Sequence, residues 1–144
     1  MSLLFVDFDG VLHRRPRPHE VSRHYAQLFE HVELLATALE PFPAVRIVVS
    51  SSWRLSYGPE ELRASLGPLG PRIKGSTGPV RNTRYMEIAE AAGSTLWVAI
   101  DDDLRGWPLN MLDRVVQCDP YQGLGEPGKA AELMLRLRTL GQEA

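Results

Sequence analysis

Residues 3–12 read LLFVDFDGVL. Four apolar residues run into Asp7, one phenylalanine follows, and a second carboxylate, Asp9, is joined at once by Gly10. A short, unbroken apolar run suits a strand covered on both faces, as in a parallel sheet, rather than a half-exposed one, which would alternate. The two acids then fall at the strand's carboxyl end.

Two more runs of the same kind lie further along, VRIVVS at 45–50 and LWVAI at 96–100. RVVQC at 114–118 reads as a weaker edge strand, and 72–74 as a short further one. Residues 21–40 carry helical spacing, with Leu28, Val32, Leu35 and Leu39 on one stripe. Helices are also predicted at 59–66, at 82–92, stopped by Gly93, and at 127–140, opened by Pro127 and Gly128. The Pro- and Gly-rich loops RRPRPHE and GPLGPRIKGSTGP are too short to link domains. The expectation is one α/β domain over residues 1–144, a doubly wound, mainly parallel sheet of about five strands with helices on both faces.

Composition narrows the functional classes. The 144 residues carry 16 Lys plus Arg against 18 Asp plus Glu, so net charge gives no argument for nucleic acid or an anionic membrane. The single cysteine, Cys118, excludes an internal disulfide and a thiolate zinc cluster. No apolar run approaches the roughly 20 residues that span a bilayer, and the amino terminus lacks the pattern of a cleavable leader. A cytoplasmic protein without a membrane partner is expected.

In doubly wound sheets ligands gather beyond the carboxyl ends of the strands. The first strand ends in Asp7, the second in SSSWR (50–54) and the third in DDD (101–103). Acids and hydroxyls from three strand ends meet at one edge. Buried carboxylates oppose one another strongly unless a cation sits among them, and an all-oxygen set favours magnesium over zinc or copper.

FVDFDGVL, the strand-end Ser50, a basic residue opening a helix, and VAIDDD follow one another in an order that resembles the haloacid dehalogenase-like (HAD) hydrolases. The likeness spans nearly the whole chain, and SSSWR is similar to a small bacterial branch found near RNA-repair proteins. The resemblance implies a Rossmann-like sheet, a magnesium ion and phosphoester hydrolysis through an aspartyl-phosphate. It implies Asp7 as nucleophile and Asp9 as general acid and base, with Ser50 donating to a phosphoryl oxygen. Asp7, the backbone carbonyl of Asp9, and Asp102 supported by Asp101 would hold the metal. Gly10 would let the backbone bend close to the ligand. Most relatives place a lysine in the third motif; here Arg84 is the first choice, with Arg81 and Lys74 as alternatives.

Less specific readings stand beside these. A DxDG string also caps turns after strands. IKGST reverses the lysine and glycine of a nucleotide-binding loop. Ser51 suits a helix cap as well as a substrate contact, and His13 and the loop arginines Arg14, Arg15 and Arg54 suit solvent as well as substrate. Trp53, Trp97 and Trp107 suit packing better than base stacking. A noncatalytic phosphate-binding module and a phosphotransferase are the alternative functions. The intervals of about 40 residues from Asp9 to Ser50 and about 33 from Ser50 to Arg84 leave no room for a cap domain. An open site favours an extended phosphorylated substrate, such as a nucleic-acid end or phosphoprotein, or a second subunit that supplies the lid.

Overall fold

Strands β1 (Ser2–Val6), β2 (Val45–Val49), β3 (Ile73–Ser76), β4 (Trp97–Asp101) and β5 (Val115–Gln117) form one sheet in the order β3-β2-β1-β4-β5. Every pairing is parallel. The structure is a computed structural model that describes residues 1–19 and 27–142.

The continuous apolar runs are explained by two buried faces. Leu4 and Val6, Ile47 and Val49, Val98 and Ile100, and Val116 point to one side, where α1 (Val32–Leu39), α2 (Pro59–Ser65) and α4 (Lys129–Gln142) cover them. Leu3, Phe5, Val48, Trp97, Ala99 and Val115 point to the other, against Ile88 and Ala92 of α3 (Arg84–Ala92) and against Trp107. Each fully buried Leu, Ile or Phe contributes about 1.5–3 kcal/mol relative to exposure. Trp97 and Trp107 are thus core residues. The Rossmann-like, doubly wound architecture holds, with no separate cap among the described residues.

The predicted helix at 21–40 is corrected. Residues 20–26 lie outside the described residues, and α1 begins only at Val32. Phe29 takes φ 60°, which breaks helical continuation. Its ring packs edge-on against Phe8 at 5.3 Å and Trp53 at 5.2 Å instead. Val32, Leu35 and Leu39 keep their place on the core stripe, whereas Leu28 is 39% exposed. α3 starts two residues later than predicted because Thr83 is its N-cap, its Oγ1 accepting the Met86 amide at 3.1 Å. Among the described residues no helix is long and apolar enough to cross a membrane.

Candidate active site

The chain builds β1, β2 and β3 to one side, then crosses to lay β4 and β5 on the other side of β1. The carboxyl ends of β1 and β4 therefore flank the switch point where α/β sheets bind ligands. Asp7 follows β1 directly, and its amide donates to the Ile100 carbonyl at 3.2 Å. Ser50 follows β2 directly, and its amide donates to the Val6 carbonyl at 3.1 Å. Asp101 is the last residue of β4. Parallel pairing places the three strand ends in one row.

Asp7, Asp101 and Asp102 each bring a carboxylate oxygen to within 4.8 Å of the others, and all three are buried. Burial pushes the Asp7 carboxyl well above the usual carboxylate range, the Asp101 charge adds to this, and Arg84 opposes it. Burial likewise pushes Asp101 up to about 6. Two arginines partly offset the charge. Arg84 Nη1 lies 3.0 Å from Asp101 Oδ2 and 3.3 Å from Asp7 Oδ1. Arg15 Nε lies 2.5 Å from Asp102 Oδ2. Asp102 Oδ1 is buried and has no hydrogen-bond partner. Three buried acids with clustered oxygens, and an unpartnered oxygen on one of them, fit a magnesium ion by chemical hardness.

Gly10 is required by this cluster. Its φ is 79°, and a Cβ there would stand 2.5 Å from Asp102 Cγ. The close approach is to an acid of the cluster. Asp103 is outside this cluster, paired with the exposed Arg105 at 2.7 Å on the cavity wall.

Asp9 stands apart from the three acids. Its Oδ1 lies 2.7 Å from His13 Nε2, and its Oδ2 accepts the Trp53 indole N–H at 3.1 Å. The bond from His13 lowers its pKa first of all, against the opposing effect of burial. Ser50 Oγ is fully buried with no partner, as is Thr77 Oγ1 beyond β3. Beside the acids opens a cavity of about 600 Å3, walled by Asp7, Asp101, Asp102, Arg15, Arg54 and Arg84 among others.

A family model described as the HAD domain in Swiss Army Knife RNA repair proteins matches residues 3–128. The chain belongs to this HAD family. Neither a curated protein nor a solved structure matches it.

Of the three candidate cations for the HAD domain's third motif, Arg84 reaches Asp7. Arg81 lines the cavity but pairs with Glu90 at 2.8 Å, and Lys74 lies exposed on the edge strand β3. Ser51 Oγ accepts the Trp53 amide at 3.1 Å and so caps its turn, while Ser52 faces the cavity. Arg54 lines the cavity with its guanidinium engaged by the Ser51 and Gly78 carbonyls and by Glu87 Oε1 at 3.2 Å. Arg14 turns away to Glu30 at 2.8 Å and to Gln27, and its neighbour Arg15 meets the acids.

Glu87 went unnoticed in the sequence. It is 7% exposed; Oε1 lies near both Arg54 and Arg84, at 3.2 and 3.6 Å, and Oε2 accepts the Arg81 amide. Its spacing of three from Arg84 on one helix was the available signal. His13, a candidate substrate contact by sequence, is instead buried against Asp9, a pairing their spacing of four could have signalled.

Proposed function

We propose that this HAD domain is a magnesium-dependent phosphomonoesterase that works through a phosphorylated Asp7. What supports this is Asp7 at the end of β1 and Arg84 at the start of α3, both lining an open cavity, with the unpartnered Ser50 Oγ at the neighbouring strand end. A phosphoryl group seated over Asp7 meets the Arg84 fork, which stabilises charge developing on its nonbridging oxygens. Ser50 Oγ gains the acceptor it lacks.

Asp7, Asp102 and Asp101, with the Asp9 backbone carbonyl, would hold the ion. Bound there, magnesium lets the Asp7 anion and the phosphate anion approach each other. An Asp7 oxygen then bonds to phosphorus as the ester P–O bond breaks, and the departing oxygen takes a proton from the Asp9 carboxyl. In the second half Asp9 takes a proton from water, the water oxygen bonds to phosphorus, and the bond to Asp7 breaks, which releases inorganic phosphate. The incoming phosphate dianion favours the protonated form of Asp9 that the first half uses.

The substrate we infer is extended, because no cap among the described residues encloses the cavity. The family description, which places such domains in RNA repair proteins, favours a phosphorylated nucleic-acid end over a phosphoprotein or a small metabolite under a second subunit's lid. Asp7→Asn is the decisive variant. It should keep the fold, lose several powers of ten in rate and accumulate no acid-quenched phosphoenzyme, whereas the parent chain shows a phosphate mass increment on the peptide containing Asp7. Retention of more than a few percent of activity would overturn the covalent route. A clear preference in kcat/KM for one small sugar phosphate over a phosphorylated oligonucleotide would overturn the substrate class.

A further inference from the structure

Both oxygens of Asp9 are engaged by neutral donors to which the reaction above gives no role. His13 is 1% exposed, and its Nδ1 accepts the Phe29 amide at 3.2 Å. A ring nitrogen that accepts a backbone N–H bears no proton, so the neutral imidazole carries its proton on Nε2 and donates it to Asp9 Oδ1. Trp53 Nε1 has no acceptor capacity and can only donate to Oδ2.

The two donors are themselves held. The His13 ring meets Phe29 edge-on at 5.2 Å. Trp53 packs against Phe8 at 5.8 Å and Phe29 at 5.2 Å, and stacks on Tyr57 at 5.2 Å. Phe29 supplies the amide from a left-handed conformation, which the surrounding packing must sustain. A carboxylate bonded at both oxygens by fixed groups has one preferred orientation, and proton transfer depends steeply on orientation.

We propose that His13 and Trp53 are positioning residues for Asp9, setting the direction in which it passes a proton to the departing substrate oxygen. This rests on the phosphatase reading. The rival is that the His13 bond merely braces the loop after β1 and the Trp53 bond merely ties that loop to the turn after β2.

Leaving groups separate the two. An alkoxide leaves poorly without a proton, whereas nitrophenolate leaves without one. The ratio kcat/KM reports steps through release of the alcohol, so it isolates the proton delivery by Asp9. For Trp53→Phe, which keeps the ring and loses the donor, and for His13→Leu, kcat/KM on an alkyl phosphate should fall at least about tenfold. On p-nitrophenyl phosphate it should stay within about threefold of the parent. His13→Gln, which returns an N–H near the Nε2 position, should recover most of the loss. Equal losses on both substrates, or no loss on either, would overturn the proposal and leave the phosphatase reading standing. A parent chain that hydrolyses neither these two substrates nor a phosphorylated oligonucleotide overturns both. Nitrogen-15 NMR of the metal-free parent provides a readout independent of turnover and of variant folding: the His13 proton should be on Nε2, and a proton on Nδ1 would overturn the proposal.

Discussion

Arg84 Nη1 faces Asp7 Oδ1 at 3.3 Å from the first turn of α3, with its side chain 25% exposed. The guanidinium also reaches Asp101, so one cation from one helix start bridges the ends of β1 and β4. Arg84→Ala should lower kcat/KM by about 10²–10³, the usual loss when one donor to developing charge is removed. Arg84→Lys should restore only part, because a point charge cannot bridge two groups as the planar fork does. Arg81→Ala, whose fork is spent on Glu90, should stay within about threefold. Steady-state kinetics on the three variants would reveal a misassignment as equal losses at 81 and 84.

The three consecutive acids divide by environment. Asp102 is 8% exposed with one orphaned oxygen, while Asp103 pairs with a solvent-exposed arginine. Asp102→Ala should weaken magnesium binding, measured by titration calorimetry, by at least about tenfold, in line with losses on perturbing a metal site. Asp103→Ala should leave it nearly unchanged. Chelator should abolish turnover, and magnesium should restore it better than calcium, whose longer and looser coordination suits the site less well. Similar effects at 102 and 103 would refute the ligand set.

The strand ends were legible because each apolar run stops where its acids or hydroxyls begin, and parallel pairing then brings those stops together. Ser50, Asp7 and Asp101 needed no more than that. The start of α1 was not legible: Leu28 continues the stripe's spacing, and nothing local to Phe29 announces a left-handed backbone. Only Phe8 and Trp53, brought close by the fold, give that ring a better place than a helix would. Arg14 and Arg15 present the same difficulty in miniature, since adjacent residues of one type turn to opposite partners, Glu30 and Asp102. Trp53 read correctly as a packing residue, but its N–H bond to Asp9 joins residues far apart in sequence.

Gly10 and Gly93 allow strain and crowding to be separated. Both have positive φ, 79° and 55°, but a Cβ meets the Asp102 carboxylate at the first and nothing within 4 Å at the second. Gly93 combines φ 55° with ψ −122°, outside the left-handed helical well, so Gly93→Ala should cost about 1–3 kcal/mol for the backbone alone. Gly10→Ala should cost more than that in chemical denaturation, and it should weaken magnesium binding because Asp102 must move. Equal costs with unchanged metal affinity would show that the approach to Asp102 is unimportant.

The buried acids predict how the metal-free protein responds to pH. Asp101 titrates near 6 in the folded chain against an ordinary 3.8, because burial disfavours its charge. The folded state therefore binds this proton more tightly than the unfolded state, so the contribution to stability is present below about 3.8 and is lost as pH rises through about 6. The shift corresponds to a loss on the order of 3 kcal/mol across that window. Asp7, whose carboxyl burial also pushes up, acts in the same direction. Asp101→Asn cannot ionise, so in chelator the parent chain should lose more stability than this variant between about pH 4 and 7. Magnesium selects the ionised acids and should stabilise the parent more at pH 7.5 than at pH 5. Urea unfolding of both chains at these pH values, with and without magnesium, gives the comparison. Parallel curves for parent and variant in chelator would mean that Asp101 is ionised at little cost without a metal, and the case for a cation-dependent acidic cluster would fail.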